Sequence, residues 1–155
     1  MKRAYFYHTP IGKLGIAEEN GAITNVFFGN TVKPGPYELM QSPLLEDASA
    51  QLIEYFAGSR KEFAIRLAPV GTAFEQAVWN ALINIPYGQT RSYADIAREV
   101  NQPNAYRAVG RANARNPISL FIPCHRVIGT NHSLTGYAGG IAAKEYLLRL
   151  EGVRI

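Results

Sequence analysis

The chain reads as an α+β protein, with a small antiparallel sheet and one helix in residues 1–70 and a set of short helices in residues 71–155. Three observations predict that division. In the first half, short apolar runs read as strands, and Asn20-Gly21 between two of them is a strong tight-hairpin signal. In the second half, Thr72-Ala73-Phe74-Glu75 is a capping box that opens a run of helical spacing. Between them Ala68-Pro69-Val70-Gly71 has the composition of a linker.

The elements follow in order. Ala4 to His8, Leu14 to Glu18 and Ala22 to Phe28 are predicted strands, the first two joined by a turn at Pro10-Ile11-Gly12. Thr31 to Pro36, with two prolines and a glycine, is predicted to be a loop. Ser42 then caps a helix with Pro43 at its first position, running through Leu44, Leu45, Ala48, Leu52 and Phe56 to a stop at Gly58. Phe63 to Leu67 reads as a further short strand.

The helix opened by Thr72 carries Phe74, Val78, Leu82 and Ile85 on one face and ends at Pro86-Tyr87-Gly88. Ser92 caps a second, Tyr93 to Val100, with Ile96 and Val100 inward. Asn104 caps a third, Ala105 to Arg115, stopped by Asn116-Pro117. Two short helices joined by a tight turn have the proportions of a helix-turn-helix. A last helix, Ile141 to Glu151, follows Gly139-Gly140 and is closed by Gly152.

Length and composition bound the function. The 155 residues suffice for one ordinary domain or two small ones, and 47% hydrophobic with 18% charged residues suits a folded globular protein. The start, Met1 to Pro10, is too short and polar for a secretory h-region, and no apolar run approaches the roughly 20 residues of a membrane span. A single cysteine excludes an internal disulfide and suits a reducing compartment. With three histidines, of which His8 is far from His125 and His132, and one thiol, the chain offers a poor ligand set for a structural zinc site. The expectation is a cytoplasmic protein without membrane, metal or cofactor.

Charge narrows this further. Residues 1–70 hold seven basic and seven acidic side chains, whereas residues 71–155 hold nine basic and five acidic, so the whole net +4 lies in the second half. Eight of those nine are arginines, the side chain suited to planar, bidentate contact with phosphates or carboxylates. In the third helix, Arg107, Arg111 and Arg115 recur every four residues and share one face, while Ala105, Ala108, Gly110, Ala112 and Ala114 keep the helix slim. Alanines serve helix propensity in any exposed helix. Gly110 costs about 1 kcal/mol relative to alanine, which points to close approach to a phosphate backbone as its reason.

The lone cysteine lies in Ile122-Pro123-Cys124-His125-Arg126-Val127-Ile128-Gly129. A free thiol has a pKa of about 8.5, so a nucleophilic one wants a base within reach, and the base wants a group to hold its tautomer. His125 is adjacent, but in an extended segment neighbouring side chains point to opposite faces, so direct contact needs a bend or a bridging water. Glu151, Glu145 and Asp95 are all candidate orienting carboxylates on spacing alone.

The wider pattern adds a resemblance. Pro123-Cys124-His125-Arg126-Val127-Ile128, with Arg107-Ala108-Val109-Gly110 and Asn116-Pro117 before it and Tyr137-Ala138-Gly139-Gly140 and Lys144-Glu145 after it, resembles the O6-alkylguanine-DNA alkyltransferases. The likeness is dense from about Thr72 to Gly152 and weaker before. It implies a ribonuclease-H-like N-terminal domain over 1–70 and a winged helix-turn-helix DNA-binding and alkyl-acceptor domain over 71–155.

It also implies a function: single-turnover, irreversible repair of O6-alkylguanine in double-stranded DNA by a monomer, with O4-alkylthymine as an alternative alkyl donor. Cys124 matches the alkyl acceptor. His125, through a water, matches the base, and Glu151 the carboxylate that orients it. Asn116 matches the brace of the active-site turn. Tyr93 matches the residue that rotates the target phosphate and donates a proton to the leaving guanine, and Arg107 the finger that fills the base stack. Ala105, Ala108, Gly110, Arg111 and Arg115 belong to the implied DNA-facing helix. Tyr137, Ala138, Gly139, Val127 and Ser119 belong to the implied pocket for the flipped base. Ser119 departs from relatives with a proline there, which bears on bulky alkyl groups. The rival readings are a helix-turn-helix regulator, which has no need of Cys124 and Tyr93, and a Cys-His hydrolase, which has no need of DNA.

Overall fold

A computed structural model describes residues 2–29, 37–131 and 133–155, so the expected loop at Thr31 to Pro36 and His132 lie outside the described residues. The chain divides into two compact units, residues 1–69 and 70–155.

The first unit is built on β1 (Lys2–Thr9), β2 (Gly12–Glu19) and β3 (Ala22–Phe28), an antiparallel meander in which Asn20 and Gly21 both take positive φ, as a two-residue hairpin turn requires. A fourth strand that the sequence pattern does not reveal, β4 (Tyr37–Leu39), pairs parallel with β1, giving the order β3-β2-β1-β4. Three residues beside a Pro/Gly-rich stretch carry too little periodicity to register as a strand. The expected strand Phe63 to Leu67 is instead an irregular segment joined to β3 by one bridge, Ile23 to Leu67. Its backbone is held partly by a side chain: Gln51 accepts from Ala64 N and donates to Ala64 O.

Helix α1 (Pro43–Phe56) packs Leu45, Ala48, Leu52 and Tyr55 against the sheet core of Leu14, Ile16, Ile23 and Val26. Ser42 accepts from Leu45 N, as an N-cap should, and donates to Glu18 on β2, which ties the helix start to the sheet.

In the second unit, helices α2 (Ala73–Ile83), α3 (Tyr93–Glu99) and α4 (Tyr106–Ala114) pack on one another. The capping box at Thr72 and Glu75 is formed, and Ser92 makes a second one with Asp95. Trp79, almost fully buried, donates from Nε1 to Ala112 O at 2.9 Å and pins α2 to α4. Asn104 does not cap α4. The chain enters through a turn closed by Ala105 N to Gln102 O, and Ala105, the N-cap, has φ −91° and ψ 23° rather than the extended conformation that aims a side chain at the helix start.

Two further elements position the site. β5 (Arg91–Ser92) runs directly into Tyr93, and β6 (Val127–Ile128) directly follows a 3-10 turn, Cys124–Arg126. The strands pair in parallel, Arg91 with Val127 and Ser92 with Ile128, so Tyr93 and the cysteine segment are brought to one place. Helix α5 (Ile141–Leu150) packs on the 3-10 turn and ends with Glu151 as its C-cap.

Gly110 meets only ordinary contact. A Cβ there would lie 3.8 Å from the Tyr93 ring, so nothing inside the unit demands glycine. Gly110→Ala is therefore expected to stabilise the protein by about 1 kcal/mol, the helix propensity it restores. Thermal unfolding checks this, and an unchanged or lowered midpoint would contradict it.

Candidate active site

The site starts from a bend. Pro123, at φ −80° and ψ 65°, holds an inverse γ-turn in which Cys124 N donates to Ile122 O at 2.8 Å, and Arg126 N then closes on Pro123 O at 3.0 Å. This supplies the departure from extended backbone that adjacent Cys and His side chains require. Asn116 braces the approach: its Nδ2 donates to Ile122 O at 2.7 Å, and its Oδ1 accepts from Ile118 N at 2.9 Å. Asn113 reaches the Cys124 carbonyl at 3.5 Å.

Cys124 is buried, with Sγ 3.8 Å from Ser119 Oγ. Burial pushes its thiol pKa up, while hydrogen bonds from Asn116 and Ser119 and the charge of Lys144 act in the opposite direction. The resting sulfur is thus held as a thiol, and its reaction needs a base.

His125 is fully buried and meets Glu151 Oε2 through Nε2 at 2.7 Å. Burial alone would raise the Glu151 carboxyl, but the hydrogen bonds and charges of His125 and Arg126 outweigh it and bring its pKa down to about 2. The carboxylate can only accept, so His125 Nε2 carries the proton and Nδ1 is left with a lone pair. Nδ1 is buried and makes no hydrogen bond among the described residues. Burial lowers the His125 pKa more than Glu151 raises it, so the ring is neutral. A neutral imidazole with a free Nδ1 is a competent general base.

Arg126 completes the carboxylate's shell. Its Nε and terminal nitrogen donate to Glu151 at 2.8 and 3.0 Å in a bidentate pair, and its other terminal nitrogen donates to Ile85 O at 2.7 Å. Gly88 N adds a donor to Glu151 Oε1 at 3.2 Å. Gly88 sits at φ +80°, and a Cβ there would stand 3.0 Å from the Glu151 carbonyl oxygen, so both backbone and space favour glycine.

Of the residues expected from the sequence, Cys124, His125, Glu151, Asn116 and Ser119 come together in this buried cluster. Tyr137 is half-buried with its ring edge-on to His125 at 6.5 Å, and Ala138 and Gly139 follow it toward the surface. The Val127 side chain is fully buried in the core, and only its carbonyl takes part, accepting from Lys144. Tyr93 is half-buried at the start of α3.

Arg107 and Arg111 are exposed on α4, with the Arg107 guanidinium 5.9 Å from the Tyr106 ring, and Ala105, Ala108 and Gly110 are half-buried beside them. Arg115 lies past the helix end as its C-cap and sits 3.6 Å from Glu75, so it is partly engaged with α2.

Two groups escaped the sequence reading. Lys144 is fully buried and donates to Val127 O at 2.6 Å; burial brings its pKa down to about 8, with Cys124 opposing that shift. Its signal was available: it shares the buried face of α5 with Ala143, Leu147 and Leu148, where a lysine is costly. Thr135, which bonds both Lys144 and Tyr93, gave no such signal.

Residues 73–153 match the model of the 6-O-methylguanine DNA methyltransferase DNA-binding domain, and residues 2–69 match that of its ribonuclease-like domain.

The chain belongs to the O6-methylguanine-DNA methyltransferase family.

Relatives in this family include the methylated-DNA–protein-cysteine methyltransferase of Methanosarcina acetivorans, 48% identical over 149 residues, covering 94% of this chain and 96% of the relative. The constitutive enzyme of that name from Bacillus subtilis is 49% identical over 154 residues, covering 94% and 92%. Among solved structures of the family, Mycobacterium tuberculosis OGT in complex with DNA superposes with a TM-score of 0.90 at 44% identity, covering 96% of this chain and 92% of that one. Among the described residues no helix is long and apolar enough to cross a membrane.

The buried cluster makes stability acid-sensitive in two stages. His125 has a folded pKa below its ordinary 6.5, so unfolding takes up a proton and stability falls as pH drops through about 6.5. Glu151, at about 2 against an ordinary 4.5, contributes stability that is complete above 4.5 and lost as pH falls toward 2. Urea unfolding across pH 3 to 8 should show both declines, with Glu151→Gln flattening the lower one. A flat profile in the wild type would contradict the assignment.

Proposed function

We propose that this chain repairs O6-alkylguanine in duplex DNA by irreversible transfer of the alkyl group to Cys124. The observation that carries this reading is Cys124, next in sequence to a neutral His125 that is hydrogen-bonded to an ionised Glu151, buried in the same unit as an exposed, arginine-bearing helix.

The chemistry runs as a displacement. His125 Nδ1 takes the thiol proton, through a bridging water, and Glu151 stabilises the imidazolium that forms. The sulfur attacks the alkyl carbon, the S–C bond forms, the C–O6 bond breaks, and the electron pair passes to guanine. Tyr93 donates a proton to that leaving base, since an unprotonated guanine anion leaves poorly. Asn116 holds the turn that aims the sulfur. The product is a thioether, whose C–S bond is not open to the thiol exchange that reverses a disulfide, so Cys124 is not regenerated. The protein acts once.

DNA has to be opened for this. A cysteine this deeply buried cannot reach a base edge inside a duplex, so the target nucleotide is flipped out, at a cost of a few kcal/mol. Arg107 fills the gap, offsetting part of that cost. Arg111 and Arg115 meet phosphates, and the small residues Ala105, Ala108 and Gly110 let the helix approach the minor groove. Tyr137, Ala138, Gly139 and Ser119 line the pocket for the flipped base, with Val127 behind it in the core. Residues 71–155 thus carry DNA contact and alkyl acceptance, and residues 1–70 support them. The protein acts as a monomer, in the cytoplasm, where its thiol stays reduced.

Incubation with duplex DNA bearing labelled O6-methylguanine tests the reading. Intact-mass measurement should show one added methyl group, mapped to Cys124 and absent in Cys124→Ala. No transfer, or continued turnover by unmodified protein, would overturn it. Arg107→Ala should slow repair of duplex DNA at least tenfold more than it slows reaction with free O6-alkylguanine, about 1.4 kcal/mol of the flipping cost. Equal slowing of both would remove the finger role.

A further inference from the structure

Thr135 joins two side chains of the site. Its hydroxyl is hydrogen-bonded to the Tyr93 hydroxyl and lies 3.2 Å from Lys144 Nζ, which in turn holds Val127 O at 2.6 Å. The donor inventory fixes the first bond of this chain. An ammonium has three protons and no lone pair, so Lys144 donates to Thr135 Oγ1. The threonine hydroxyl keeps one proton to give, and among the described residues the hydroxyl partner within reach is Tyr93. Thr135 Oγ1 has a second lone pair and can also accept from Tyr93; in the arrangement where Thr135 donates, Tyr93 Oη accepts and its own O–H is left for the base.

We propose that Thr135 is a positioning residue, which with Lys144 behind it orients the Tyr93 hydroxyl as a proton donor to the leaving base. This rests on the reading of Cys124 as the alkyl acceptor. As the S–C bond forms and the C–O6 bond breaks, guanine receives the electron pair and takes the Tyr93 proton. Negative charge then develops on Tyr93 Oη, which retains the hydrogen bond from Thr135, polarised by the Lys144 ammonium. Solvent returns the proton to the tyrosinate afterwards. Without the Thr135 hydroxyl, the Tyr93 O–H is free to turn and its conjugate base has lost a donor. The threonine thus acts only through Tyr93.

The test compares two electrophiles. Methyl transfer from O6-methylguanine in duplex DNA needs a proton on the leaving base, whereas methyl iodide loses iodide and needs none. Thr135→Val, which keeps the shape and removes the hydroxyl, should slow transfer from DNA about tenfold, a part of the 10²- to 10⁴-fold that a general acid supplies. Methylation of Cys124 by methyl iodide should stay within about twofold of wild type, and Thr135→Ser should restore the DNA reaction. In a Tyr93→Phe background, Thr135→Val should cost nothing more.

Wild-type transfer with an unimpaired Thr135→Val overturns the role of Thr135 alone. Absence of transfer to wild type overturns the reading beneath it as well. Loss of both reactions in Thr135→Val and also in Thr135→Ala marks a structural role and overturns the proposal, as does a further loss in the Tyr93→Phe background.

Discussion

A buried carboxylate at the end of a helix organises the second unit. Glu151 accepts from His125, twice from Arg126, and from the backbone of Gly88, so four donors converge on a group that burial would otherwise neutralise. An ionised carboxylate out of water is costly unless it is paired and fully hydrogen-bonded. That requirement fixes the elements around it. The end of α5, the turn before β5 and the 3-10 turn of the cysteine segment all contribute a group, and none can shift without leaving a buried charge short of a partner. Arg126 is equally constrained, since its remaining nitrogen is spent on the Ile85 carbonyl.

This arrangement determines the state of the histidine and, through it, the cysteine. Burial outweighs the pull of Glu151 on the imidazole, and the charge of Arg126 acts in the same direction as burial. His125 is left neutral, with its proton on Nε2 and its lone pair on Nδ1. The thiol beside it is held protonated by burial. A protonated thiol and a neutral base in one buried site suit a protein that reacts once, because the nucleophile forms only when an electrophile is in place. The charge of Lys144 favours a thiolate at Cys124, and Lys144 links through Thr135 to Tyr93.

Much of this was legible in the sequence, for reasons that differ by element. Caps and hairpins depend on local chemistry, so Ser42, Thr72, Ser92 and Asn20-Gly21 announced their roles. Asn104 misled because the turn closed by Ala105 N to Gln102 O starts the helix at Tyr106, which puts Ala105 and not Asn104 at the cap. Strand β4 and the irregular segment near Phe63 depend on distant partners and carried almost no periodicity.

Among site residues, spacing alone left Glu145 and Asp95 beside Glu151. The fold separates them: Glu145 pairs with Arg149 on the surface of α5, Asp95 caps α3, and only Glu151 faces His125. Thr135 was invisible because a threonine in a loop has no pattern, and its importance arises from two neighbours nine and forty-two residues away.

The reactivity of Cys124 turns on the state of His125. Nitrogen-15 NMR of the ring at neutral pH measures it directly. The structure predicts a neutral imidazole protonated at Nε2, with an unprotonated Nδ1 resonance, and predicts that Glu151→Gln disturbs this single form. An imidazolium at neutral pH, or a ring protonated at Nδ1, would contradict it.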